Sequence, residues 1–211
     1  PNEWIILALL PSYLEQGDSS LIYMVDKFIK MSQNENSRYI DLKNDNIQSI
    51  LNKLNSEKVL LIGVSYALLD LAEIKPPSLS RWTIMETGGM KGRRKEIIRD
   101  ELHLILKKAF DVDCIHSEYG MSELLSQAYS SKDGLFSTPK WMEVIIRDLE
   151  DPFNKIEDSS SGGINIIDLA NIFSCSFIET QDIGKKHLNG KFEVLGRSDH
   201  SEIRGCNLLT F

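Results

Sequence analysis

The sequence has no long hydrophobic run, no excess of basic charge and few cysteines, and each shortage removes a class of protein. The longest apolar run, Trp4 to Leu10, is far too short to span a bilayer, and no charged segment precedes it as in a signal peptide. Against 31 Asp and Glu stand only 24 Lys and Arg, a formal charge of −7, which argues against a protein that grips a phosphate backbone and so against a nucleic-acid partner. One basic cluster (Lys91, Arg93, Arg94, Lys95) is followed at once by Glu96, Asp100 and Glu101, the pattern of a solvated helix start, with Arg93 and Arg94 as outside candidates for anion contacts. The three cysteines, Cys114, Cys175 and Cys206, are an odd number without metal-type spacing, as expected of free thiols in a reducing cytoplasm. Cys114 and Cys175 lie among apolar residues and read as inert small hydrophobes.

What remains is an ordinary globular composition, 42% hydrophobic and 26% charged over 211 residues, enough for one substantial core with a small appended lobe. In the first half, strand and helix signals alternate. Trp4–Leu10, Tyr39–Leu42, Val59–Val64 and Trp82–Met85 read as strands. Between them, Leu21, Met24, Val25, Phe28 and Ile29, then Ile47, Ile50, Leu51 and Leu54, recur at helical spacing. Ser65 is placed to cap a helix over Tyr66–Ala72, Pro76-Pro77 breaks the chain, and Ile98, Leu102, Ile105, Leu106 and Ala109 define another amphipathic helix. Such alternation predicts an α/β fold, a mostly parallel sheet flanked by helices, over residues 1–135. A smaller β-rich lobe is expected over 136–211, from strand signals at Trp141–Arg147, Ile164–Ile167, Phe173–Ile178 and Phe192–Leu195. The segment 157–163 (Glu-Asp-Ser-Ser-Ser-Gly-Gly) reads as an exposed flexible turn; it lacks the Lys that would follow in a phosphate loop.

Three motifs occur in order: Glu118-Tyr119-Gly120-Met121-Ser122-Glu123, Thr180-Gln181-Asp182-Ile183-Gly184, and the run from Gly196-Arg197-Ser198-Asp199 to Gly205. Tyr119 offers a flat face for a base, Gly120 a close backbone approach, Ser122 a hydroxyl for a phosphate oxygen and Glu123 a hard carboxylate for Mg²⁺. The alternative is a strand-to-helix turn with Ser122 as cap and Glu123 in its first turn. Asp182 has two oxygens to accept from ribose hydroxyls, or is part of a surface turn. Arg197 is a permanently charged fork for ribose or phosphate oxygens. Thr87, Gly88 and Gly89 line a loop that is either part of a nucleotide pocket or turn punctuation. His116 is either a substrate contact or a hydrogen-bonded core residue.

Taken together, these motifs resemble the adenylate-forming enzymes, which activate a carboxylic acid with ATP. The runs from Met85 to Arg94 and from Ile203 to Leu208 further resemble the acyl-protein synthetase branch, the LuxE-type fatty-acid ligases. The resemblance implies ATP and Mg²⁺ as cofactors, with Tyr119, Gly120, Gly88, Gly89, Asp182 and Arg197 around the nucleotide and Glu123 on the metal. It implies a fatty acid or other carboxylic acid as substrate and a hinge at Asp199. The acyl group would pass to Cys206, with Ser122 and Glu123 assisting, and then to an acceptor protein. Alternatives left open are transfer to coenzyme A, a structural Cys206, and a non-catalytic nucleotide- or acyl-binding module. Homo-oligomers and reductase or transferase complexes are further open partners. The sequence departs from the family in having no Ser/Thr/Gly-rich phosphate loop and no downstream domain with an adenylation Lys. With an initial Pro, it is expected to be a C-terminal fragment of the large domain whose C-terminus is the natural one, itself a poor adenylating enzyme.

Overall fold

The computed structural model describes residues 3–11, 19–90, 92–151, 153–154, 156 and 160–198. Two compact units divide the chain: Pro1–Tyr119 with Ser131–Asp133, and Gly120–Ser130 with Gly134–Phe211. The architecture is the expected α/β one, with parallel pairing throughout the sheet of the first unit and a β-rich remainder.

In the first unit, β1 (Ile5–Leu9), β2 (Arg38–Tyr39), β3 (Val59–Val64), β4 (Thr83–Thr87) and β5 (His116–Tyr119) stand in the order 2-1-3-4-5. Every pairing among them is parallel. All five residues of β1 are buried, because a parallel sheet covered on both faces needs continuous apolar strands rather than alternating ones. Among the described residues four helices cover it: α1 (Ser20–Ser32), α2 (Ile47–Leu54), α3 (Ser65–Glu73) and α4 (Arg99–Phe110). With right-handed crossovers, the reversal of strand order between β1 and β3 sends the first and the later helices to opposite faces. Local chemistry sets the helix ends. Ser19 Oγ accepts from the Ile22 amide and Asn46 Oδ1 from the Ser49 amide, while Gln33 and Asp111 turn left-handed to close α1 and α4.

The second unit is an antiparallel sheet in the order β6 (Ala128–Ser130), β7 (Phe136–Ser137), β11 (Phe192–Arg197), β10 (Phe177–Lys186), β9 (Ser161–Asp168), β8 (Met142–Arg147). Its core stacks Phe136 on Phe192, with ring centroids 5.4 Å apart, beside Met142, Val144, Ile146, Ile164 and Ile166.

Several local expectations are corrected. Ser65 caps nothing: it is the first residue of α3, and its hydroxyl turns to Glu86 and the Gly88 carbonyl. On α4 the buried face is Leu102, His103, Leu106 and Phe110, leaving Ile98 and Ile105 exposed, because His103 turns inward to meet Glu86 and Ser117. Residues 173–176 are not strand. Phe173 is 98% exposed, and Asn171 holds the segment as a turn by donating to the Cys175 carbonyl at 2.9 Å and pairing with Ser174. Cys175 is accordingly exposed rather than packed among apolar side chains. Gly162 and Gly163 are buried residues of β9, not an exposed turn, because Arg147 and Ile146 occupy the space their side chains would need. β10 runs on through its motif, so Asp182 sits within a strand and not in a turn, and β11 extends to Arg197.

Candidate functional site

The first unit brings its motif residues together at the C-terminal ends of β4 and β5, the edge where open α/β sheets bind ligands. Thr87 and Glu118 are register partners, and the Thr87 hydroxyl donates to the Glu118 carboxylate. Burial pushes the Glu118 carboxyl above the ordinary glutamate range; the Thr87 bond partly offsets this, and the charge of Glu86 adds to it. Glu86 itself is buried within 3.3 Å of Arg99 Nε, 3.6 Å of His103 Nε2 and 3.3 Å of Ser65 Oγ. Burial alone would raise it, but hydrogen bonds from His103 and Ser117 and the charge of Arg99 outweigh that and hold it below the ordinary range. Ser65 Oγ also lies 3.3 Å from the Gly88 carbonyl, so the buried cluster tethers the glycine loop.

The two glycines of that loop differ. Gly88 has φ of 65°, a left-handed conformation that itself favours glycine. A Cβ at Gly89 would meet no atom of the described residues within 4 Å, so they supply no reason for glycine there. Tyr119, at the end of β5, is only 8% exposed, and Gly120 after it is open to solvent. The basic cluster is largely committed within the unit: Arg94 pairs with Asp70 and Glu73, and Arg93 lies 5.3 Å over the Tyr66 ring. Desolvation lowers the pKa of half-buried His116, whose Nε2 is 3.7 Å from Cys114 Sγ; no substrate-facing role follows from this placement.

The second unit carries the other two motifs. Ser122 and Glu123 are exposed in a turn closed by the Leu124 amide on the Met121 carbonyl, and the chain continues into β6 rather than a helix, so Ser122 is no helix cap. A buried carboxylate absent from the sequence reading fixes this loop. Asp168 accepts from the Leu125 amide (3.0 Å), the Ser126 amide (2.9 Å), the Ser126 hydroxyl (2.8 Å) and the Ala170 amide (3.1 Å). Asn171 adds a bond of 2.7 Å to the Glu123 carbonyl. The signal that could have found Asp168 is its phase: it follows Ile164 and Ile166 on one buried face of β9. A groove of about 480 Å³ beside the loop is lined by Leu125, Gln127, Tyr129 and Trp141 among others, but not by Tyr119, Asp182 or Arg197.

Asp182 on β10 and Arg197 on β11 are direct cross-strand partners, with Arg197 Nε 3.6 Å from Asp182 Oδ1. The Arg197 guanidinium also donates to Gln181 Oε1 at 3.1 Å. The Asp182 side chain is 14% exposed and that of Arg197 65%. With the guanidinium this exposed and the separation 3.6 Å, the ion pair contributes only about 0–1 kcal/mol to stability. Chemically it sets an acceptor-only carboxylate beside a donor-only fork, the complement of a vicinal diol, which both donates and accepts. Asp199 and Cys206 lie outside the described residues, as does Lys91. Among the described residues no cluster of His, Cys, Asp or Glu makes a metal cage, and no helix is long and apolar enough to cross a membrane.

No family model matches this sequence, and no curated protein does. Solved structures do match in fold. ATP-bound MatB from Rhodopseudomonas palustris superposes with a TM-score of 0.63 at 15% identity over 92% of this chain. Coronafacic acid ligase from Pectobacterium brasiliense gives 0.60 at 16% over 93%. A malonyl-CoA ligase with methylmalonyl-CoA and AMP bound gives 0.59 at 16% over 93%. The chain spans 40%, 40% and 44% of those proteins, respectively. It therefore shares its fold with part of each of these three proteins.

Proposed function

We propose that the full-length protein is an AMP-forming acid–thiol ligase. In this reading a carboxylate oxygen attacks the α-phosphorus of ATP, pyrophosphate leaves, and the resulting acyl-adenylate is attacked by a thiolate with release of AMP. The observation that carries the reading is the Asp182–Arg197 pair, a ready acceptor and donor for a ribose diol, set in a fold shared with an ATP-bound ligase. Asp182 accepts from the ribose hydroxyls while Arg197 donates to ribose or phosphate oxygens. Tyr119 packs against the base, and Gly120, Gly88 and Gly89 leave room for the nucleotide to approach the backbone. Ser122 donates to a phosphate oxygen.

Mg²⁺, where it takes part, neutralises phosphate charge. The exposed Glu123 carboxylate suits it, because this ion takes one or two protein carboxylates and completes its shell with phosphates and water. For the acyl acceptor, coenzyme A is favoured over a protein thiol, because one matching ligase is bound to methylmalonyl-CoA and AMP. The second reading, a fatty-acyl protein ligase that charges Cys206, rests on the sequence run Ile203-Arg204-Gly205-Cys206.

Acid-dependent ATP–pyrophosphate exchange by the full-length gene product tests the activation step; no exchange with any of a panel of short, branched and long-chain acids would favour a non-catalytic binding module. Labelled acid with ATP then separates the acceptors. A hydroxylamine-labile adduct lost in Cys206→Ser supports the protein thiol, and acyl-CoA formation that survives Cys206→Ser supports coenzyme A.

A further inference from the structure

The pairing of β9 with β10 breaks at one place. It holds at Glu179 opposite Asn165 and resumes at Ile183 opposite Gly163, so the single residue Ile164 faces Thr180, Gln181 and Asp182. The stretch bulged out of the ladder is therefore Thr180, Gln181 and Asp182, the first three residues of the motif. Backbone groups released from a ladder inside a protein must find other partners. Here a buried cation supplies them. Arg147, only 9% exposed at the end of β8, donates from Nη1 to the Ile164 carbonyl at 3.2 Å and to Asn165 Oδ1 at 3.1 Å. Its Nη2 donates to the Thr180 carbonyl at 3.1 Å, and its Nε lies 3.2 Å from Glu179 Oε1. Thr180, held by its carbonyl, is also held by its hydroxyl, which donates to the Ile164 carbonyl at 2.8 Å. That same hydroxyl oxygen accepts from the Asp182 amide at 3.0 Å.

Glycine makes room for this arrangement. A Cβ on Gly163, which pairs with Arg147 across β8 and β9, would stand 2.2 Å from Nη1 and 2.4 Å from Cζ. Only a residue without a side chain lets the guanidinium lie flat on the strand.

We infer that Arg147 is the positioning residue of Asp182: its guanidinium stands in for the missing ladder and fixes, through Thr180, the bulge that turns Asp182 toward Arg197. The inference rests on the ribose reading for its functional consequence, but its structural half does not. The planar fork reaches two carbonyls and a side-chain amide at once. A lysine ammonium is a point donor on a flexible stem and cannot span them. An arginine that merely stabilised the sheet would affect every ligand alike, whereas one that aims Asp182 affects only ligands with a ribose diol.

Two measurements on the full-length protein test this, using Arg147→Lys and Arg147→Met. Hydrogen exchange of the Asp182 amide should quicken by about tenfold or more in Arg147→Lys, as expected when charge-assisted bonds are lost, with the β3 amides of Leu61 and Ile62 unchanged. Unchanged exchange at Asp182 overturns the inference. In binding, Arg147→Lys should weaken AMP about tenfold and leave 2′,3′-dideoxy-AMP unaffected, and should add nothing in an Asp182→Ala background. Equal weakening of both nucleotides also overturns it. If the wild type binds neither nucleotide, the ribose reading is what fails, and the exchange result still decides whether Arg147 holds Asp182. Should Arg147→Met not fold, the lysine variant, which keeps the charge, carries both tests.

Discussion

Removing the carboxylate of Asp168 should be among the most damaging single changes in the antiparallel unit. Its oxygens accept from the Leu125 and Ser126 amides, the Ser126 hydroxyl and the Ala170 amide, all within 3.1 Å, and the residue is fully buried. Asp168→Ala leaves three amides, of which that of Ser126 is buried and those of Leu125 and Ala170 are partly buried, and a hydroxyl without acceptors, at about 1–3 kcal/mol for a fully buried unsatisfied group. The Ser126 hydroxyl can turn elsewhere while still accepting from Trp141 Nε1, which discounts its share. The Ser126 amide alone gives a loss of roughly 1–3 kcal/mol, and the two partly buried amides add to it, a large part of a typical domain's 5–15 kcal/mol. Asp168→Asn keeps one carbonyl oxygen for the Leu125 and Ser126 amides but turns an NH₂ toward the Ala170 amide, so it should cost less than the alanine. The assay is urea unfolding, read as the midpoint shift at constant slope. A loss below about 1 kcal/mol for Asp168→Ala, within the range of an ordinary surface change, would refute the clamp.

Glu118 and Glu86 should give opposite pH signatures. Glu118 is raised in the fold, so its favourable contribution is present at acid pH and lost as pH climbs from about 4.5 through its folded value; Glu118→Gln should therefore gain stability relative to wild type on the alkaline side. Glu86 is depressed, so its contribution is complete above the ordinary value of 4.5 and lost as pH falls through the folded one, and Glu86→Gln should flatten acid unfolding. Gly88→Ala should cost about 1–2 kcal/mol by thermal melting because of its positive φ, whereas Gly89→Ala should be neutral to stability and weaken nucleotide binding. Equal stability losses at the two glycines would remove the argument that Gly89 leaves room for a ligand. Residues 1–211 alone should exchange pyrophosphate poorly, since each missing transition-state donor costs on the order of 10²–10³ in rate, and robust exchange would contradict that.

The fold class was legible because buried parallel strands and amphipathic helices write different periods: Val59–Val64 is strand from end to end, and Ile47, Leu51 and Leu54 are the buried residues of α2. Legibility failed wherever a polar side chain did work usually assigned to apolar ones. His103 took a place on the buried face of α4 that hydrophobicity alone gives to Ile105. The apolar run from Phe173 looked like strand, yet Asn171 holds it as a turn by bonds that leave no mark in hydropathy. The motif residues stand out in the sequence by type and order, and the structure pairs Asp182 with Arg197 and Thr87 with Glu118. Their supports were invisible. Arg147, Gly163 and Asp168 acquire meaning only once β8, β9 and β10 are in register, a long-range fact that no local window contains.

The most direct test of the central claim is acid-dependent ATP–pyrophosphate exchange by the full-length protein, measured side by side for the wild type, Asp182→Ala and Arg197→Ala. Ribose contacts shared by ground and transition states set affinity more than chemistry. The account therefore predicts exchange by the wild type. In both variants it predicts a higher KM for ATP, by about tenfold for a lost charged hydrogen bond, with the KM for the acid unchanged. Variants with the wild-type KM for ATP, or a wild type that exchanges no pyrophosphate with any acid, would contradict it.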